Sequence, residues 1–415
     1  MDYMTNFAAI LKSIKSMKRM LTAFALLVFA AESVFAQNIS VRAGQSTLLY
    51  DDRYFPGLFA DKTPTVPSLN VKFGWEDHSS SPYASICRHP EYGIALDIEC
   101  LGDAAPAASS QGMGNIYGLY GYFDRDYVKT RSFSLGYSAG LGVGIYASKF
   151  RDPVLNPWNW MISLPINGFA TLGIDASYII NDMYSVGASA YFNHCSNGAL
   201  NFQNKGYNGY GVGLTFSRRD PSYRSASRPS FFPGRRGRIG AHDRFRPHFQ
   251  FDLQASGGIM AVEKYFDRTE YIEGVGRNIY KFKYSFNADC LYKYTRTCAS
   301  GIGLDLFVTP FSGVIAENEM MLAEAKGNPE TVSYEPVSYG ISLLHEFCYR
   351  ALTTTVGVGR YIKDNDGLAQ NKILYQFVNV KYHFPQFNDI YCGVLLKAHK
   401  FKAAESVQFS IGKRF

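Results

Sequence analysis

Apolar and polar residues alternate with a period of two along much of the chain, and the C-terminus shows the pattern clearly. In the last ten residues one face carries the apolar residues Val407, Phe409, Ile411 and Phe415. The other face carries Ser406, Gln408, Ser410, Gly412 and Arg414, with Lys413 as the one departure. Such alternation predicts a strand with one apolar and one polar face. As a soluble edge strand it would leave an apolar terminal ring exposed, so closure of a barrel is favoured.

The same alternation predicts further strands in both halves of the chain. In the first half they are placed near 38–48, 69–76, 91–99, 113–124, 132–147, 169–180, 184–196 and 207–217. In the second half they are placed near 248–260, 280–292, 300–309, 337–348, 350–361, 374–384 and 388–400, before the final strand. The expected fold class is all-β, a transmembrane antiparallel outer-membrane β-barrel of about twelve to sixteen strands, because bacterial single-chain barrels use even numbers. Two fused eight-stranded barrels are a less favoured alternative.

The first 36 residues have the pattern of a secretory signal peptide. Basic residues, among them Lys18 and Arg19, precede the apolar run 21–30, and Ala36 ends the segment before Gln37. The apolar run is too short for a stable membrane-spanning helix. We therefore expect residues 1–36 to be removed on export, with an uncleaved anchor as the alternative.

The composition suits strands between lipid and a polar lumen. The chain has 30 Tyr, 31 Phe and 38 Gly, and its formal net charge of +7 does not call for nucleic acid. Much of the basic charge lies in the Arg-rich stretch 218–246. We expect 220–246 to be a loop or linker between a site-bearing half, 37–219, and the remaining strands, 247–415. Arginines there could meet lipopolysaccharide phosphates, although a solvated turn explains them equally well.

The cysteines and histidines show no metal-binding pattern. The seven cysteines are Cys87, Cys100, Cys195, Cys290, Cys298, Cys348 and Cys392. They form no CxxC pair and no zinc spacing, and His89, His242 and His345 lack ligand spacing, so we expect no metal and no cofactor. In an exported protein the pairs nearest in sequence, Cys87–Cys100 and Cys290–Cys298, could form disulfides.

The strand 184–196 breaks its own pattern at its end. Its apolar face, which starts at Val186, finishes in His194 and Ser196. Two residues apart on one side of a strand, these side chains are neighbours, and an imidazole can take a proton from a hydroxyl. Asn208 in the next strand has the parity of the lipid-facing residues. Cys195 points to the opposite face and is therefore a poor candidate for the nucleophile.

The connection between these two strands is rich in amides and glycine. It carries Asn197, Gly198, Asn201, Asn204 and Gly206. A connection of this kind could place N–H groups on a developing oxyanion.

These residues also resemble a known family. His194-Cys-Ser196-Asn197-Gly198, followed by Asn204-Lys-Gly206-Tyr-Asn208, is similar to the active-site signature of the PagL-type lipid A 3-O-deacylases. The resemblance covers about 38–217 of this chain. Those enzymes are eight-stranded outer-membrane barrels, and the second half resembles longer relatives that carry the motif in mid-chain.

The resemblance implies an outer-membrane enzyme that hydrolyses an ester-linked acyl chain of lipid A, with lipopolysaccharide as its substrate. Ser196 would be the nucleophile and His194 the general base, with Asn204 and Gly198 as oxyanion donors and Asn197 in support. Asn208 stands where the best-known members have a glutamate, and Gly-Ala follows Asn197 where Ala-Gly is usual. The alternative is a non-catalytic porin-like or adhesin barrel with a relic motif, which predicts a wide polar lumen.

Overall fold

The structure, a computed structural model, describes most of residues 36–415 in ten segments. These are residues 36–49, 64–101, 114–146, 161–201, 206–220, 245–264, 277–329, 331–368, 373–400 and 403–415. Residues 1–35, which are all but the last residue of the predicted signal peptide, and residues 221–244 of the Arg-rich stretch lie outside these segments. No helix within these segments is long and apolar enough to cross a membrane.

Eight antiparallel strands close the first barrel, barrel 1. They are β1 Asn38–Leu48, β2 Thr65–Glu76, β3 Glu91–Glu99, β4 Ile116–Lys129, β5 Phe133–Tyr146, β6 Ile166–Ile179, β7 Tyr184–Ser196 and β8 Tyr207–Arg219. Closure comes from β8 pairing with β1, in a register that runs from Asn38↔Arg219 to Leu48↔Gly209. A short helix, α1 (Pro82–Ile86), lies between β2 and β3.

Eight further strands close barrel 2. They are β9 His248–Lys264, β10 Arg277–Lys293, β11 Cys298–Val308, β12 Val337–Tyr349, β13 Leu352–Lys363, β14 Leu374–Phe384, β15 Ile390–His399 and β16 Ala403–Arg414. The final strand β16 pairs with β9 and closes the ring, as the C-terminal pattern predicted. A single 3-10 turn, Pro385–Phe387, joins β14 to β15, and helix α2, Ser312–Ala325, lies between β11 and β12.

The all-β antiparallel class is confirmed, but the strands close as two rings of eight rather than as one barrel. A ring of sixteen strands would enclose an aqueous channel, whereas eight strands leave an interior that side chains alone can fill. The inward-facing side chains match the narrower lumen, because charged ones pair with one another, as Arg42 does with Asp97 and Arg414 with Asp252. The fused alternative, less favoured from sequence, is therefore the observed arrangement.

Barrel 1 has two distinct ends. The connections 130–132 and 180–183 are tight turns at one end, here called the turn end, where 77–90 also lies. The opposite end, the loop end, carries the four connections 49–64, 100–115, 147–165 and 197–206. Strand β7 runs toward the loop end and finishes there at Ser196.

Side chains fill the lumen of barrel 1 at the loop end. An apolar cluster there includes Leu48, Ile116, Phe169, Cys195 and Tyr207, all fully buried. A polar cavity of about 150 Å³ lies toward the turn end, where Lys72, Glu76 and Asp124 contribute to its lining. This packing disagrees with the wide polar lumen that the non-catalytic alternative predicted.

Both disulfide pairings suggested by sequence are wrong, because none of the seven cysteines forms a disulfide. Cys87 and Cys100 lie beyond opposite ends of β3, about 30 Å apart at the rise of a strand. Cys290 lies opposite Ile302 in the β10–β11 register, so Cys298 is four residues further along β11.

Helix α2 was not predicted from the sequence. Ile315 of the helix and Phe311, the residue just before it, pack against Met260 and Val262, buried residues near the end of β9. This packing, rather than a long amphipathic face of its own, stabilises the helix.

Buried ion pairs hold the interior of barrel 2 together. Arg414 donates two hydrogen bonds to Asp252, both of 2.7 Å, and reaches Glu346 at 2.9 Å. Lys381 lies between the same two carboxylates, at 3.2 Å from Asp252 and 2.7 Å from Glu346. Removing one cation from such a cluster leaves a buried carboxylate undercompensated, which costs more than the loss of a surface pair.

We predict that Arg414→Ala lowers the free energy of unfolding by about 3–5 kcal/mol, because Asp252 loses its bidentate partner inside the barrel. The measurement is the urea concentration at which half of the detergent-solubilised protein is unfolded. It is read on a gel from the difference in mobility between unheated, folded barrel and heated, unfolded protein. Lys413→Ala, one residue earlier and close to the Phe415 ring, is the matched control and should change stability by less than about 0.5 kcal/mol. Equal midpoints for the two variants would contradict the prediction.

Candidate active site

Alternation along β7 separates an inner from an outer set of side chains. Ser189, Tyr191, Asn193 and Cys195 are buried in the lumen, whereas Val186, Ala188 and Ala190 are exposed on the outside. His194 and Ser196 continue the outward row and are half-buried. The parity predicted for these two residues is therefore confirmed.

The register between β7 and β8 places Asn208 beside this row. Asn208 is the direct partner of His194 across the two strands. The Asn208 side-chain oxygen lies 2.7 Å from His194 Nδ1, and His194 Nε2 lies 2.8 Å from Ser196 Oγ. Three residues singled out from sequence thus form one continuous chain of hydrogen bonds on the outer surface of barrel 1.

The hydrogen bond that Asn208 accepts from His194 determines how the imidazole is protonated. A carbonyl oxygen only accepts, so His194 must carry its proton on Nδ1 and donate it to Asn208. The neutral ring then has an unprotonated Nε2, which accepts the Ser196 hydroxyl proton. This tautomer is the one that a general base for serine requires.

Gly206 fits closely over the pair. A Cβ atom at this position would lie 3.2 Å from His194 Cε1 and 3.3 Å from the Ser196 Cβ, and its φ of +74° favours glycine. Its N–H donates to the Met161 carbonyl at 2.9 Å. The sequence showed Gly206 only as part of a motif, and its contact with both side chains is a feature that pattern reasoning missed.

The inner face of β7 is fixed by a polar network in the lumen. Asn193 is fully buried, accepts a hydrogen bond of 2.7 Å from Thr171, and donates to Glu99 at 2.7 Å and to Asp97 at 3.2 Å. Asp97 in turn pairs with Arg42 at 3.0 Å. These bonds hold β7 on the face opposite His194, and alternation along a single strand does not predict them.

The remaining predicted residues are brought together only in part. Asn197 and Asn201 form a local turn, in which the Asn197 side chain donates to the Asn201 carbonyl at 3.1 Å. Gly198 follows with a positive φ of 60°. Asn204 lies outside the described residues. Over the described ranges, no group of three His, Cys, Asp or Glu residues is arranged to hold a metal ion.

Comparison with known proteins finds one family whose model matches part of this chain. Residues 249–415 match the family model described as acyloxyacyl hydrolase, C-terminal domain. The matched range covers β9–β16 and leaves out the strands that carry His194, Ser196 and Asn208. No curated protein matches the chain.

Two solved structures are also similar to this chain over part or most of its length. The outer membrane enzyme PagL is 15% identical with a TM-score of 0.29, covering 43% of this chain and 97% of its own. A mutant of the Rh. blastica porin is 9% identical with a TM-score of 0.16, covering 91% of this chain and 99% of its own. At such low identities and TM-scores these likenesses carry no further argument. The match of residues 249–415 is to the family of acyloxyacyl hydrolase C-terminal domains, and it covers less than half of the chain.

Proposed function

We propose that this protein is an outer-membrane esterase that removes an ester-linked 3-hydroxyacyl chain from lipid A. The observation that carries the proposal is the hydrogen-bonded chain Ser196–His194–Asn208 on the outer surface of barrel 1. The acyloxyacyl hydrolase match of residues 249–415 supports a hydrolase of this kind. The similarity of the motif to that of PagL-type deacylases supports lipid A as the substrate.

The position of the site in barrel 1 supports a lipid substrate in the outer leaflet. Outer-membrane barrels have short turns on the periplasmic side and longer loops outside the cell. Ser196 ends β7 at the loop end, and its side chain continues the exposed apolar row of that strand. A lipid A molecule could then bring its ester to Ser196 from within the membrane, while water reaches the same rim.

In the proposed acylation step, Ser196 Oγ attacks the carbonyl carbon of the ester and His194 Nε2 takes the hydroxyl proton. The bond between that carbon and the sugar oxygen then breaks, and His194 gives its proton to the departing oxygen. Water, deprotonated by His194, attacks the acyl-enzyme and releases the fatty acid with Ser196 restored. Asn208 holds the His194 tautomer throughout.

The oxyanion would be stabilised by donors from the connection 197–206. We assign this role to Asn204 and the Gly198 backbone N–H, with Asn197 supporting the turn. Donors of this type are commonly worth about 10²–10³-fold in kcat.

We predict that Ser196→Ala and His194→Ala each abolish release of 3-hydroxy fatty acid from lipid A while the barrel still assembles. A serine hydroxyl is a weak nucleophile until a base accepts its proton, so each change removes the same catalytic unit. The double variant should therefore lose no more activity than either single variant. Mass spectrometry of lipid A from cells with and without each variant gives the measurement.

Cys195→Ala is the control for this pair. Cys195 lies between His194 and Ser196 in the sequence, but its thiol is on the opposite face of β7, in the packed lumen. Its loss should lower the free energy of unfolding by about 1 kcal/mol without affecting deacylation. Wild-type turnover by Ser196→Ala would exclude the proposed function.

We predict opposite results for two changes at Asn208. Asn208→Asp preserves the size of the side chain and adds a charge that stabilises protonated His194, so kcat should stay equal or rise. Asn208→Leu removes the acceptor for His194 Nδ1 and should lower kcat by about 10²–10⁴-fold, the usual contribution of acid–base catalysis. Steady-state deacylation in mixed micelles measures both, and an active leucine variant would show that another group orients His194.

A further inference from the structure

The connection after β7 begins with a tight turn that includes a strained residue. The Leu200 N–H donates to the Asn197 carbonyl at 3.1 Å, which closes a four-residue turn. Both central residues have a positive φ, +60° at Gly198 and +69° at Ala199, as in a type I′ turn. Glycine adopts this conformation freely and alanine does not, so Ala199 must be held there by contacts from outside the turn.

One such contact is a backbone hydrogen bond from β9. Among the described residues, 197–201 form one compact unit with the strands of barrel 2. The pairing of β9 with β16 ends at Gly257, whereas its pairing with β10 continues to Lys264. Beyond the end of the β16 pairing, the fully buried Ala261 donates its N–H to the Ala199 carbonyl at 3.0 Å. The turn thus satisfies a buried backbone donor of β9, and that bond fixes the strained residue.

Two side chains of β10 hold the far end of the turn. Asn278 Nδ2 donates to the Asn201 side-chain oxygen at 2.7 Å, and the Tyr280 hydroxyl donates to the same oxygen at 3.2 Å. Asn201 also accepts, through its backbone carbonyl, the 3.1 Å hydrogen bond from the Asn197 side chain. Through Asn201, the first residue of the connection is therefore linked to β10.

Val407 of β16 packs against the middle of the turn. A Cβ atom on Gly198 would overlap the Val407 side chain, and Gly198 is buried. Glycine is therefore required at this position by the contact as well as by its positive φ. The N–H of Gly198, assigned above to the oxyanion, lies in a turn that is held on three sides by β9, β10 and β16.

We propose that Asn278 and Tyr280 are positioning residues for the proposed reaction, because they act through Asn201 to hold the turn that carries the Gly198 N–H. This inference rests on the proposed function. It assigns a role in the reaction to strands that carry none of the proposed catalytic side chains, within the range 249–415 that matches the family model. An oxyanion donor contributes only when it is held in the geometry of the transition state, so loosening the turn should lower kcat rather than weaken substrate binding.

The test is Asn278→Ala, which removes the 2.7 Å hydrogen bond to Asn201. Looser positioning of the Gly198 N–H should lower kcat for deacylation of lipid A by at least about tenfold, a part of the 10²–10³-fold that one such donor commonly contributes. KM should stay within about twofold of wild type, because the donor acts on the transition state more than on the bound ester. Steady-state deacylation in mixed micelles gives both constants.

Two changes at Asn201 test whether Asn278 acts through it. Asn201→Ala should lower kcat as Asn278→Ala does, and the double variant should lose no more than Asn201→Ala alone, because both changes break the same link. Asn201→Asp keeps an oxygen that accepts from Asn278 and Tyr280. Its kcat should stay within about threefold of wild type, as expected when an equivalent acceptor takes the place of the amide oxygen.

An alkylboronic acid distinguishes loss of positioning from loss of folded protein. Such a compound forms a tetrahedral adduct with a catalytic serine, and this adduct uses the same oxyanion donors as the transition state. Its Ki should therefore rise in Asn278→Ala by about the factor by which kcat falls. A smaller folded fraction would lower the apparent kcat and leave Ki unchanged.

Asn365→Ala is the matched control. Asn365 is half-buried, as Asn278 is, and its side chain donates to Glu335 at 2.9 Å in the connection between β13 and β14. This variant removes an amide hydrogen bond of the same kind from another connection of barrel 2. Its kcat, KM and Ki should all equal those of wild type.

Two outcomes would overturn the positioning role. One is a wild-type kcat in Asn278→Ala, and the other is a lower kcat with an unchanged Ki, which would show that Asn278 only supports the fold. Tyr280→Phe repeats the test should Asn278→Ala fail to assemble. Ser196→Ala, run alongside, separates the two proposals. If that variant still deacylates lipid A, the proposed function itself fails; if it is inactive while Asn278→Ala behaves as wild type, only the positioning role fails.

Discussion

Closure of eight strands into a ring is the constraint on which the other features of this protein depend. Inside a membrane every backbone N–H and C=O must be paired within the protein, and a closed sheet achieves this without an edge. An eight-stranded ring also fixes the width of the lumen, so inward side chains must fill it and compensate one another. Arg42 with Asp97 in barrel 1, and Arg414 with Asp252 in barrel 2, satisfy that requirement.

The period of two lets one strand serve two purposes. On β7, Asn193 points inward and donates hydrogen bonds to buried acids, while His194 on the other face belongs to the candidate site. The inner network immobilises the backbone, so the outer pair keeps its 2.8 Å hydrogen bond without needing a packed core around it. Positions on rigid strands hold a catalytic geometry more precisely than positions on loops do.

Much of this could be predicted from sequence, because alternation is a local signal. The bounds of β7 and β14, and the shared parity of His194, Ser196 and Asn208, follow from counting along single strands. Ring closure does not follow in this way. It depends on pairing between β1 and β8, the first and last strands of barrel 1, and the same alternation would suit one ring of sixteen strands. The contact of Gly206 with the site and the packing of α2 also depend on residues distant in sequence, so pattern alone could not give them.

Asn208 can orient the proton on His194, but unlike a carboxylate it cannot also neutralise a positively charged imidazole. Its oxygen fixes the proton on His194 Nδ1, and that task needs only a well-placed acceptor, here at 2.7 Å. Stabilising a positively charged imidazole is the second task, and a neutral amide contributes less to it than a carboxylate. In the proposed reaction, stabilisation of the transition state would therefore depend mainly on the N–H donors assigned to the oxyanion after Ser196. The proposed catalyst would then depend more on the connection 197–206 than one with a glutamate at this position, because that connection would have to supply stabilisation that Asn208 does not provide.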